Sequence, residues 1–374
     1  YLFEFFKQNN ESNPFSKASL IFGSSSSVKV NQFSYSENSE RLCMVLESGI
    51  VMAFTFEEMM RKKTIQFVEV ENKLENDLIR LQEINDCIDS KELEKKTNLK
   101  KYITNYYKYP SSQRKEVWNS LVGVHFNEKA FLALKQISFI NPINSELLLD
   151  KLDESLKQIS SISSTYCEFF KNNRIFLGVL YPFYKLFEKD DQFVFEITIS
   201  FLYKWGKYLF EDYPSPSQQV LLFFEQCISC FNPNLSKKAA ELEIYLFLWN
   251  SLTTLYTNLI EKNNWLALMD TVISYSEIPA LLYTIGPSLI LLLNDGLDEF
   301  QTNKDKRLLA EKISLLDPIK IINTNFVVYN EMKTRKLISL TFVKTTLSDE
   351  PFNEFYYPKF PFPKFPTIKQ FDFS

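Results

Sequence analysis

The chain has 374 residues, 45% of them hydrophobic and 24% charged, with a formal net charge of −4; this is the composition of a globular protein with a sizeable core and not of a disordered one. Its 7 glycines lie at 23, 49, 123, 178, 206, 286 and 296, too scattered for a phosphate-cradling P-loop or a dinucleotide fingerprint and too few for a large all-β protein with its many tight turns. A single histidine, His125, leaves Ser-His and Cys-His nucleophiles and multi-histidine metal sites short of partners, and the mild acidity (pI near 5.5) speaks against a nucleic-acid partner.

Residues 1–27 are polar and serine-rich around Ser24 to Ser27 and read as an irregular arm. Residues 28–56 carry short runs of β-favouring residues, with Glu47-Ser48-Gly49 as a turn between the last two. Such a piece reads as a small β segment, one blade of a propeller, that needs neighbours to bury its faces. Residues 57–100 turn helical. Phe67, Val70, Leu74, Leu78, Leu81, Ile84 and Ile88 recur every three or four positions, one apolar stripe on a polar linker helix. That stripe suits a helix packed on the next domain rather than a coiled coil or partner helix, since it holds fewer than four clean heptads. The run Lys91 to Lys101 is a mixed-charge face, at home in solvent.

Residues 101–350 read as successive helices punctuated by proline, glycine and asparagine, with aromatic residues on their apolar faces. This is a mainly α domain. The stretch from Ile278 to Asn294 lacks charge but holds Pro279, Gly286 and Pro287. It is shorter than the roughly 20 apolar residues of a membrane span and reads as two core helices broken at Gly286-Pro287. The five cysteines suggest no disulfide framework. Cys227-x-x-Cys230 has no second pair for a metal and reads as two core-facing positions on a helix. His125 follows Gly123-Val124 at a helix end and reads as a surface or capping residue. Residues 351–374 hold five prolines and seven phenylalanines among lysines. They favour an extended chain whose rings, Phe360, Phe362 and Phe365 among them, want a groove on this domain or on a partner.

Several phrases of the helical region resemble the TBC domain, the all-α fold of Rab GTPase-activating proteins. "YPSSQRKEVWNSLVG" carries Pro110, Arg114 and Trp118 in the spacing of that family's opening motif. "RIFLGVLYPFYKLF" is similar to its second region, where a Tyr-x-Gln-Gly turn leads into a helix, and "NNWLALMD" to its Trp-Asp helix, with Trp265 and Asp270. "FEDYPSPS", "FNEFYYPKFP" and the preceding β segment resemble the WD-repeat-bearing branch of the family, associated with centriolar satellites and the base of cilia.

The resemblance implies a two-finger machine. An arginine stabilises charge on the γ-phosphate, worth about 10³–10⁵ in rate for GTPases, and a glutamine positions water. Here no arginine stands between Arg114 and Arg174. Aligning the family's Ile-x-x-Asp-x-x-Arg on Leu147-x-x-Asp150-x-x-Asp153 puts an acid, Asp153, at the arginine position. Lys151 or Lys157 lacks the planar two-pronged geometry that would replace it. Aligning Gly178 with the family's glycine puts Leu177 at the glutamine position. Pro110, Arg114, Trp118, Gly178, Trp265 and Asp270 then serve structure. The expectation is a finger-less TBC domain with no catalytic residue, cofactor or metal. It would be a scaffold of the centrosome, cilium or basal body for other proteins, with a Rab-family GTPase as one such partner. An active enzyme with unconventional fingers, using Arg174, and a purely structural ciliary component are the rival expectations.

Overall fold

The computed structural model describes residues 30–35, 41–46, 51–55, 79–90, 92–140, 154–171, 173–188, 190–293, 306–342, 350 and 353–362. The expected arm at 1–27, the stripe residues Phe67 to Leu78, Lys151, Asp153 and Phe365 lie outside them.

The chain divides into two compact units, 1–81 and 82–374. In the first, β1 (Val30–Tyr35), β2 (Arg41–Leu46) and β3 (Val51–Thr55) form an antiparallel sheet in the order β1-β2-β3. Met44 pairs with Phe33 on one side and Met52 on the other, and the β1–β2 register shifts between Val30 and Gln32.

Among the described residues, the regular elements of the second unit are helical. Residues 79–89 are helical, and Ser90 bends the chain, its hydroxyl donating to the Cys87 carbonyl at 2.7 Å. So the expected linker helix is interrupted here, and α1 (Glu92–Tyr106) starts a separate rod. Then come α2 (Arg114–Val122), α3 (Glu128–Ile140), α4 (Glu154–Tyr166), a 3-10 turn (Glu168–Phe170), α5 (Arg174–Leu186), α6 (Asp191–Trp205) and the single turn α7 (Lys207–Phe210). The second half comprises α8 (Gln218–Phe231), α9 (Pro233–Glu241), α10 (Ile244–Leu252), α11 (Lys262–Ser274), α12 (Ala280–Leu292), α13 (Lys306–Ser314) and α14 (Pro318–Thr334).

Local chemistry sets the helix ends. Asn173, Asp190, Asn232 and Asp317 each accept a first-turn backbone N–H at their helix start, which satisfies donors that have no partner within the helix. Pro233 and Pro318 sit at the first helical position, where the missing N–H costs nothing. Gly123 closes α2 at φ 75°, a left-handed conformation that suits glycine.

Two helices are buried along their length and organise the rest. On α6 every residue from Phe193 to Trp205 is buried. On α12 every residue from Ala280 to Ile290 is, with α8, α10 and α14 packed around it. The expected break at Gly286-Pro287 does not occur: α12 runs straight through both. Burial on all sides holds the helix, and the Gly286 N–H is drawn to the Tyr256 hydroxyl at 3.2 Å. No helix of the described residues is long and apolar enough to cross a membrane.

Candidate functional site

The sequence motifs converge on one buried carboxylate. Asp270, on α11, is fully buried. Arg114 Nε donates to its Oδ1 at 3.0 Å and Nη2 to its Oδ2 at 3.0 Å, a two-pronged pair. Trp118 Nε1 donates to Oδ1 at 2.7 Å, and the Tyr109 backbone N–H to Oδ2 at 2.8 Å. Arg114 also donates to the Tyr109 carbonyl. The four-residue step from Arg114 to Trp118 puts both on one face of α2, aimed at α11. Burial pushes the Asp270 carboxyl above its ordinary value, while the Arg114 guanidinium and the other donors pull it back toward ionisation. Trp265, one turn earlier on α11, donates its Nε1 to the Leu255 carbonyl at 2.7 Å. Arg114, Trp118, Trp265 and Asp270 thus form a structural clasp, and none of their polar atoms reaches a surface where a substrate could sit.

Next comes the second motif. Residues 174–178 form the first turns of α5 and not a loop before it, because the buried Asn173 side chain starts the helix there by accepting the Phe176 N–H at 3.0 Å. Gly178 faces the Thr253 backbone, and a Cβ at this position would run into the Thr253 carbonyl oxygen. This close approach, and no chemistry, is what requires glycine there. Leu177 is half-buried and packs against the core. The outer face of α5 presents Arg174, Tyr181 and Lys185 to solvent. Lys185 pairs with Glu188 at 2.7 Å. Near the end of α5, Lys115, Leu186, Phe187 and Asp190 line a shallow cleft of about 360 Å³, where Lys115 pairs with Asp190 at 2.5 Å. Lys157 pairs with Glu154 at 2.7 Å, one turn apart on α4.

The tail makes the largest arrangement outside the motifs. Residues 353–362 turn at Glu354–Phe355 and then lie against the domain without a regular element. Tyr357 and Phe360 are buried, and Phe362 is partly buried against the same core. Glu196, a fully buried carboxylate on α6, receives the Tyr357 hydroxyl at 2.6 Å, the Phe126 and Asn127 backbone N–H groups at 2.5 and 2.8 Å, and Gln192 Nε2 at 2.9 Å. It thereby holds the turn around half-buried His125, where Phe126 adopts φ 48°. Phe360 meets Phe170 and Phe210 edge-on, with ring centres 4.9 and 6.1 Å away. Sequence reading missed Glu196, Asn127 and Tyr357. Its one usable signal was a lone carboxylate within the apolar run from Phe193 to Leu202.

Among the cysteines, Cys227 is buried and its thiol is pushed up by burial, while Cys230 is half-exposed and raised for the same reason. Among the described residues no group of His, Cys, Asp and Glu could hold a metal ion.

No family model matches the chain. Over 191 residues it is 26% identical to the human protein named TBC1 domain family member 31, covering 48% of this chain and 17% of that one. Over 281 residues it is 25% identical to the Xenopus tropicalis protein of the same name, covering 71% of this chain and 25% of that one. The chain therefore spans about a quarter or less of these relatives. Among solved structures, the Ypt/Rab-GAP domain of Gyp1p superposes with a TM-score of 0.54 at 10% identity, covering 69% of this chain and 99% of that domain. The helical body has the TBC fold, that of Ypt/Rab-GAP domains.

Proposed function

We propose that this chain uses the TBC, Ypt/Rab-GAP, fold as a non-catalytic adaptor that docks partner proteins, a Rab-family GTPase among them, without activating it. The observation that carries this reading is Leu177. At the position where the resemblance implies a water-positioning glutamine, the side chain is aliphatic, half-buried and packed inward. It has neither donor nor acceptor to orient a water. The sequence adds that no arginine stands between Arg114 and Arg174, and that the aligned position is Asp153. A carboxylate there repels a phosphoryl group in transfer, where an arginine finger would supply most of the rate. The motif pattern of Arg114, Trp118 and Asp270 is accounted for by the clasp, so it lends the enzyme reading nothing.

On this reading the three-stranded sheet is part of a WD-repeat-like blade, and the assembly served is centrosomal or ciliary, as the resemblance implies. The rival active enzyme would have to bring exposed Arg174, on α5, to the nucleotide. Capture distinguishes the readings. A panel of Rab proteins loaded with labelled GTP is passed over the immobilised chain and the bound nucleotide is followed. The adaptor reading predicts that at least one Rab is retained and that its GTP decays at the intrinsic rate. Rapid decay on the matrix supports the active rival, and retention of no Rab leaves the purely structural one.

A further inference from the structure

The surface beneath residues 353–362 has the features of a peptide-recognition groove, and it is filled. Its contacts are directional. The Tyr357 hydroxyl donates to Glu196 at 2.6 Å and lies 3.1 Å from the Asn127 carbonyl. The Pro358 carbonyl accepts from the Tyr166 hydroxyl at 2.6 Å, and the Asn353 carbonyl from Asn127 Nδ2 at 2.6 Å. Three residues after the tyrosine, Phe360 enters an aromatic socket of Phe170 and Phe210. Lys129 pairs with Glu354 at 2.5 Å at the rim. Main-chain carbonyls are read by side chains and two rings fill set places, while the prolines hold the segment extended at low entropic cost. This is how grooves read proline-rich segments.

The tail also shows what the groove selects. Its sequence repeats Pro-Lys-Phe-Pro, once at 358–361 and again five residues later at 363–366. The two copies offer the socket the same phenylalanine. They differ one residue earlier, where the first has Tyr357 and the second Phe362. Only the first supplies a hydroxyl to Glu196. The docked segment is the first copy. A buried carboxylate gains most from a donor and loses most without one, so Glu196 is the specificity-determining residue of the groove.

We infer that this groove is a docking site for an extended Tyr-Pro-x-Phe segment of another polypeptide, which the chain's own residues 357–360 occupy in its absence. The proposal is independent of whether a GTPase is bound. A partner with this pattern exchanges with the tail, and one with phenylalanine in place of tyrosine does so far less readily.

The test uses the full chain with a protease site inserted between Thr346 and Leu347 and cut after folding. A labelled peptide with the sequence of residues 350–362 is added in excess, and binding is read by anisotropy. The expected result is saturable binding that weakens about tenfold or more when the peptide carries Tyr357→Phe. Equal binding of both peptides, or of a scrambled one, overturns the proposal. A second readout needs no cut. With a single fluorine label on Phe360, the intact Tyr357→Phe chain should give two resonances as the two Pro-Lys-Phe-Pro copies compete for the socket, where the parent gives one. A single buried resonance in that variant contradicts the role given to Glu196.

Discussion

Asp270 gathers motif residues from distant parts of the chain onto one buried carboxylate. Its two oxygens take up the Arg114 guanidinium, the Trp118 indole and the Tyr109 N–H, all out of water. Removing one partner of a buried ion pair strands the other charge. Asp270→Ala should therefore cost about 3–5 kcal/mol of stability, read by chemical denaturation; a loss under about 1 kcal/mol would mean that the clasp does not hold α2 to α11. Gly178→Ala adds a methyl group where the Thr253 carbonyl already sits. We expect about 1–3 kcal/mol of destabilisation from this overpacking, seen as a lower Tm, and an unchanged Tm would contradict the close approach. The step from Arg114 to Trp118 was legible because helical periodicity is local. Their joint partner was not paired with them in sequence, because Asp270 lies 156 positions beyond Arg114 and only the fold brings them together.

At the scale of elements, helix starts were the most legible feature, since Asn, Asp and Pro act where they stand. Pro287 shows the limit of that logic. Its local preference is to break a helix, but α12 is enclosed by α8, α10 and α14 and stays continuous. Packing overrode the local signal. The tail is the converse case. Proline density told of an extended chain and the rings told of a groove, but the groove itself is made by Glu196, Tyr166 and Phe170, on separate elements. The element-scale prediction follows from Glu196, which has four donors and no amide-compatible gap. Glu196→Gln turns one acceptor oxygen into a donor facing other donors. It should cost about 1.5–3 kcal/mol, and hydrogen exchange should rise at residues 126–127 and 353–360 together. A rise confined to one of these segments would show that the carboxylate does not couple them.

For the whole molecule, the α content, the aromatic core and the TBC fold were legible because they rest on composition, periodicity and motif order spread over some 250 residues. The assignment of the two finger positions rests on resemblance alone. Leu177 packs inward on α5, and Asp153 lies outside the described residues. What remains to be measured for the whole molecule is whether the proposed loss of GTPase-activating chemistry holds. The most direct measurement is single-turnover GTP hydrolysis by a purified Rab panel, with and without the full chain in excess. The account predicts that every rate stays within about tenfold of its intrinsic value, under about 1.4 kcal/mol of barrier. Acceleration of any Rab by the 10³–10⁵ that an arginine finger supplies, lost in Arg174→Ala, would contradict it.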